Sequence, residues 1–414
     1  MPVTRWTRAA AAASSLLLAL SCTETTAPGT PQPPPSLYAI SPSSVPAGSG
    51  PFTLTVSGAD FTAQSRVRWN DADRPTTFVS DSVLTARIGG ADVTFADSAS
   101  VTVYTGAPGG GTSGRLAFKV ASPQTLTWTL TNVPLSAGSW DVAVSPNGLA
   151  YVTQLGGDSI DRIDVPTNTV AGSIAVGNWP YEVSFNGTGS VAYESNAVDH
   201  SIGVINTATD SQTASFGLAT QPIRLRIGPG GSKLYVTTTT GAVLVLDPSN
   251  GTTVHSPISV TGVLNGVALT PDGSRLWVSN TTGTLTEINT ATDSVHRAIA
   301  MGGRPQDLAI SPDGALLYVA NESGWLGIYD LATLERVDSV TVPGAFGLAL
   351  NPSGSQLWIA QSAQGTITVF GTAYRGVAGT INTGGIPRHI AFTAGGAALI
   401  ANEGGVVQIA RQNP

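Results

Sequence analysis

Ser311-Pro312-Asp313-Gly314, preceded by Leu308-Ala309-Ile310 and followed by Tyr318-Val319-Ala320-Asn321, is the stretch that decides the fold. Proline presets the φ that opens a tight turn, and glycine takes the positive φ that closes it. The apolar runs on either side read as two short strands. The unit returns as Ser145-Pro146-Asn147-Gly148, Asn186-Gly187-Thr188-Gly189, Gly228-Pro229-Gly230-Gly231, Thr270-Pro271-Asp272-Gly273, Asn351-Pro352-Ser353-Gly354 and Thr393-Ala394-Gly395-Gly396. Successive closing glycines lie 41, 42, 42, 41, 40 and 42 residues apart. Tyr151, Tyr193, Tyr235, Trp277, Tyr318 and Trp358 lead the strand after the turn, with Leu399 in the last copy. A third strand ends in Asp or Asn with Thr three residues on, as in Asp164/Thr167, Asn206/Thr209, Asn289/Thr292 and Asp330/Thr333, where short polar side chains can bond their own turn. A fourth strand, such as 169–176, leads back to the next copy.

Four strands in about 40 residues is the period of a propeller blade, and the lack of a 3.6-residue apolar stripe excludes a helical solenoid. Seven copies predict a seven-bladed β-propeller over 126–410. The last copy stops after three strands, whereas Leu126-Thr127-Trp128-Thr129-Leu130 precedes the first. Residues 126–131 are therefore expected to complete blade seven and remove an open sheet edge. Tyr318-Val319-Ala320-Asn321 and Tyr151-Val152-Thr153 resemble the YVTN family of seven-bladed propellers.

Residues 37–120 break into short alternating runs, among them Phe52-Thr53-Leu54-Thr55-Val56 and Arg66-Val67-Arg68-Trp69, punctuated by Gly48-Ser49-Gly50-Pro51, Gly58 and a glycine-rich stretch at 106–114. This pattern predicts an antiparallel sandwich. Ile40-Ser41-Pro42-Ser43-Ser44, Val56-Ser57-Gly58-Ala59-Asp60-Phe61 and Val79-Ser80-Asp81-Ser82 resemble the IPT/TIG immunoglobulin-like family. That resemblance implies a spacer or binding module without catalytic residues. The fold class is thus all-β, a seven-bladed β-propeller plus an N-terminal immunoglobulin-like β-sandwich, with 121–125 as linker. Asn70-Asp71-Ala72-Asp73 lacks Ca²⁺-loop spacing and reads as a polar hairpin tip.

Composition narrows the function. With 414 residues the chain exceeds one compact core, and only 11% of it is charged. The formal net charge is −7 and the only lysines are Lys119 and Lys233, so no polybasic surface for nucleic acid exists. Arg5 and Arg8 precede an apolar run at 9–20, which reads as a secretory signal over 1–21 and is too short to span a bilayer. Leu18-Ala19-Leu20-Ser21-Cys22 resembles the bacterial lipobox, although Ala19 stands where Leu is commonest. The resemblance implies lipidation of Cys22, the chain's single cysteine; the alternative is an ordinary signal peptide. A Pro/Thr-rich tether follows over 22–36, long enough when extended to reach about 40 Å. The expected location is the outer membrane or cell surface as a lipoprotein, or else the periplasm.

A propeller's usual site is the channel mouth, at the start of the innermost strands. Seven residues before each closing glycine stand Asp141, Glu182, Arg224, Gly266, Asp307, Gly347 and His389, and one step earlier Trp140, Tyr181, Ile223, Asn265, Gln306, Phe346 and Arg388. The candidate site (Asp141, Glu182, Arg224, Asp307, His389, Trp140, Tyr181 and Arg388) reads as a polar funnel rimmed by aromatics, suited to a small polar ligand or peptide; the alternative is a solvated channel lip. HExxH, P-loop and GxSxG motifs are missing, and Gly187 to Gly189 and Gly228 to Gly231 are turns with no helix following. His200, His255 and His296 fall at different repeat phases. No cofactor is implied. The leading expectation is a non-catalytic binding scaffold for an envelope protein, peptide or glycan, held to the membrane by its lipid. The alternative is a hydrolase resembling sugar-acid lactonases, with Asp141, Glu182, Asp307 and His389 holding a metal.

Overall fold

The computed structural model describes residues 32–94, 97–121 and 126–413, which form two compact units. The expected signal peptide, Cys22, most of the tether and residues 122–125 lie outside the described residues.

In the first unit Ser36–Ser41, Phe52–Ala59, Val83–Ile88 and Thr76–Ser80 form one antiparallel sheet. Leu116–Ala121, Asp97–Thr105, Arg66–Trp69 and Ala72–Asp73 follow one another in the second. Alternation along each strand turns Leu54, Val56, Val67, Trp69, Leu84, Ile88, Val101, Val103 and Phe118 inward, all 2% exposed or less. Trp69 and Phe52 meet Phe118 at 4.9 and 5.5 Å between ring centroids. Ser36 already belongs to the first strand and Ala121 to the last, which trims the expected tether and linker by one residue each. Asn70 and Asp71 take φ of 49° and 64°, the paired positive values of a two-residue hairpin tip, and Arg68 Nε donates to Asp73 across it at 2.7 Å.

The second unit holds seven four-stranded antiparallel sheets, the blades of a propeller. Their innermost strands are Ser139–Val144, Pro180–Phe185, Pro222–Ile227, Leu264–Leu269, Pro305–Ile310, Ala345–Leu350 and Pro387–Phe392. All seven closing glycines have positive φ, from 69° at Gly273 to 88° at Gly148, which explains why the turn repeats so strictly. In blade seven the fourth strand is Trp128–Pro134, paired antiparallel with Val406–Gln412 from Trp128↔Gln412 to Pro134↔Val406. The final strand extends two residues beyond Ala410.

Apolar clusters fill the seams between blades. Tyr151, Ile160, Val183 and Ile205 join blades one and two, and Val133, Val142, Val152, Leu399 and Ile409 join blade seven to blade one. The aromatic that leads the second strand in blades one to six lies in these seams. Tyr151 Oη donates to Asp210 of the next blade at 2.7 Å, and Tyr235 Oη to Asp293 at 2.8 Å. Burying one such side chain stabilises the seam by about 2 kcal/mol.

Candidate functional site

Every innermost strand carries a register shift at its first residues, between Ser139/Val142 in blade one and at the matching place in the other six. The ring position, seven residues before each closing glycine, lies at this bulge. In blades one to four its own N–H is taken by a second-strand hydroxyl, of Thr153, Ser195, Thr237 and Ser279, and where it carries a side chain, that side chain reaches the backbone of the next blade's innermost strand. Asp141 accepts from Val183 N of blade two at 3.1 Å, Glu182 from Leu225 N of blade three at 2.5 Å, and Asp307 from Leu348 N of blade six at 2.9 Å. Side chains that donate reach the neighbouring carbonyl instead. Arg224 Nε bonds Asn265 O of blade four at 3.0 Å, and His389 Nδ1 bonds Trp140 O of blade one at 2.8 Å. In blades four and six the ring residue is glycine because the next blade's backbone comes too close: a Cβ on Gly347 would lie 2.0 Å from Arg388 O, and one on Gly266 3.0 Å from Gln306 O. Five of the seven ring residues are therefore staples from one blade to its successor, with acceptors on N–H and donors on C=O.

Two guanidiniums face the three carboxyls of the ring. Glu182 pairs with Arg226 and lies 4.0 Å from Arg224. The second nitrogen of His389 faces Arg224 Nη2, and its first lies 3.8 Å from Asp141. With Nδ1 donating to a carbonyl, Nε2 is the acceptor for Arg224, so the ring is the neutral Nδ1–H tautomer. Burial and the Arg224 charge hold its pKa well below the usual value, in keeping with that tautomer. Burial, helped by the charge of Glu182, lifts Asp141 to about 7, and burial raises Asp307.

Directly before the ring, the aromatics expected to rim a funnel instead close over it. Phe346, Arg388, Trp140 and Tyr181, from blades six, seven, one and two, form one continuous stack. The Arg388 guanidinium lies 4.6 Å from the Trp140 ring and 4.7 Å from Phe346, and Trp140 meets Tyr181 at 4.7 Å. Glu403 holds Arg388 at 2.8 Å. Opposite this arc Asn265 donates to Gln306, and Gln306 to Glu322. The mouth is a cap, half aromatic and half amide.

On the other side of the ring a cavity of about 510 Å³ runs toward the turns at Pro146 and Asn186. Five residues before each closing glycine the chain has Ala143, Ser184, Arg226, Ala268, Ala309, Ala349 and Ala391. Small side chains leave the space, and Arg226 alone projects into it. Asp141, Glu182, Arg224, Asp307 and His389 are thus brought together with Arg226, which the ring alignment does not reach, whereas Trp140, Tyr181 and Arg388 belong to the cap. Among the described residues no three His, Cys, Asp or Glu side chains gather as a metal-ligand set.

Residues 35–120 match the family model of the IPT/TIG domain. No curated relative matches the chain in sequence. Solved β-propellers match in structure: a chain of the hydrazine synthase of Kuenenia stuttgartiensis has 19% identity and a TM-score of 0.60, covering 67% of this chain and 97% of its own. The β-propeller domain of Myceliophteria thermophila Cps50 (Swd1) has 12% identity and a TM-score of 0.60, covering 69% and 99%. At these identities the likeness is one of fold.

Proposed function

We propose that this is an exported cell-envelope protein whose YVTN-type propeller is a non-catalytic binding scaffold, with the IPT/TIG module as spacer and Cys22 as the lipidated anchor. The partner, an envelope protein, peptide or glycan, docks on the capped face. The observation that carries this reading is the pair Trp179 and Ile386, which occupy the same repeat position on blades two and seven, two of the four blades of the aromatic arc. They are 49% and 39% exposed. Trp179 adopts φ of 56°, a conformation that blade six meets with Gly344 at φ of 64°. Holding tryptophan there costs about 1 kcal/mol. Asp158 accepts from Trp179 N at 3.2 Å, and Asp199 clamps Asn178 through its backbone and side-chain amides. An aromatic side chain held half in water against strain is suited to a partner. The hydrolase alternative is weakened by the ring: its carboxylates accept from neighbouring blades, and two guanidiniums stand where a cation would go.

The test is a pull-down from envelope extract with the full chain and with Trp179→Ala/Ile386→Ser. The native chain is expected to retain a defined component that the variant loses; retention of nothing, or equal retention by both, refutes the docking face. Fractionation tests the anchor: Cys22→Ser is expected to move the protein into the soluble fraction, and unchanged membrane association would exclude lipid attachment there.

A further inference from the structure

Two blades lead their second strand with tryptophan, and they treat its indole differently. In blade six Trp358 Nε1 donates to Gln356 two residues earlier at 3.0 Å. In blade four the residue two before Trp277 is Arg275, which has no acceptor, and Trp277 Nε1 is buried without a partner although the side chain is 1% exposed. Trp277 lines a cavity of about 580 Å³ at the seam of blades four and five, remote from the capped face. On its wall Glu287, paired in register with Trp277 on one side and Arg297 on the other, takes both Arg275, at 2.7 Å, and Arg297. Two guanidiniums sharing one carboxylate leave one positive charge in excess. Each is about a third exposed, whereas Glu287 is 4% exposed; Arg297 Nη2 also donates to Leu331 O at 3.1 Å, and the remaining guanidinium donors line the cavity. Asp272 and Asp313 also line the cavity. Their oxygens accept from the hydroxyls and amides of their own turns, which holds both carboxyls ionised.

We infer that this seam binds an acidic sugar of the uronic-acid type. Its carboxylate sits on the donors of Arg275, Arg297 and Trp277, and its hydroxyls donate to Asp272 and Asp313. A bare anion would meet the wall but offer the two aspartates no donors, and a neutral sugar would leave the wall unpaired; the joint pattern selects a carboxylate that carries hydroxyls. The volume suits one or two sugar rings. The inference stands apart from the capped face, and loss of docking there leaves it unchanged.

Isothermal titration of the full chain with glucuronate, glucose and acetate tests it. Glucuronate is expected to bind saturably, at least about tenfold more tightly than either of the others. Arg275→Gln should abolish this preference, because it recreates the blade-six pair and gives Nε1 an internal acceptor while Arg297 still neutralises Glu287. Arg297→Gln, a second route to the same loss should the first variant misfold, should weaken binding at least about tenfold. No saturation up to about 10 mM glucuronate, acetate binding as tightly as glucuronate, glucose doing so, or undiminished binding in the folded variants would each overturn the assignment.

Discussion

Blade two buries two glutamates on adjacent strands, and their surroundings give them opposite characters. Glu182, 3% exposed, has Leu225 N, Arg226 and Arg224 around it. Glu194, fully buried, sits where the other blades have Val152, Val236, Val278, Val319, Ile359 and Ile400. The Asn196 amide is the one other side chain that donates to it, at 3.3 Å, and its second oxygen has no partner among the described residues. Gly203 opposite makes the space, since a Cβ there would lie 1.5 Å from Glu194 Oε1. Burial pushes the Glu194 carboxyl up to about 8. Equal burial therefore says little about charge; the cations and amides within reach decide it.

The comparison breaks most readily at Glu182. Glu182→Ala should leave Arg224 and Arg226 facing each other and Leu225 N without its acceptor, at a cost of ~3 kcal/mol, the lower end for a broken buried pair because Arg226 is partly exposed. Chemical denaturation reads this, and a loss within about 0.5 kcal/mol of zero would mean that the ring does not hold the blades. Glu194→Gln should act more gently and with the opposite sign. Because the folded carboxyl titrates above its unfolded value, native stability from this group is intact below about 4.5 and falls as pH rises to about 8. The variant should match the native chain at pH near 4.5 and exceed it above pH 8 by a few kcal/mol, read as thermal midpoints across pH. Parallel midpoint curves would place a counter-charge beside Glu194 after all. His389 works from the other end: with its pKa lowered, the native state weakens as pH falls below 6.5.

Much of this was legible in spacing. The closing glycines count the blades because a positive φ is costly for other residues, so the turn cannot drift. Alignment on them also identified Asp141, Glu182, Arg224, Asp307 and His389 as one ring. Their roles were not legible: an innermost edge strand turns alternate N–H and C=O groups outward whatever its side chains, so the groups that the ring binds leave no residue signature. Nor could alignment tell that Phe346 and Trp140, two blades apart, meet around Arg388, since side-chain reach across the channel depends on its width. Arg226 had a signal, as the one long side chain in a column of alanines and a serine, which stands out when the fifth residue before each glycine is read as well. Glu194 stood out from its column of valines and isoleucines in the same way.

Closing the ring with Trp128–Pro134 has a mechanical consequence. Tension on the chain before this strand first meets the bonds from Leu126 N to Ala378 O and from Asn413 N to Thr127 O, and then the seven-pair zipper on the outer edge of blade seven. A load directed away from the sheet edge opens these pairs one after another, so the outermost strand is the first to yield. The innermost strand of that blade, with the Arg388 and His389 contacts, has two strands between it and the outermost one and would keep its place until the zipper had run its length.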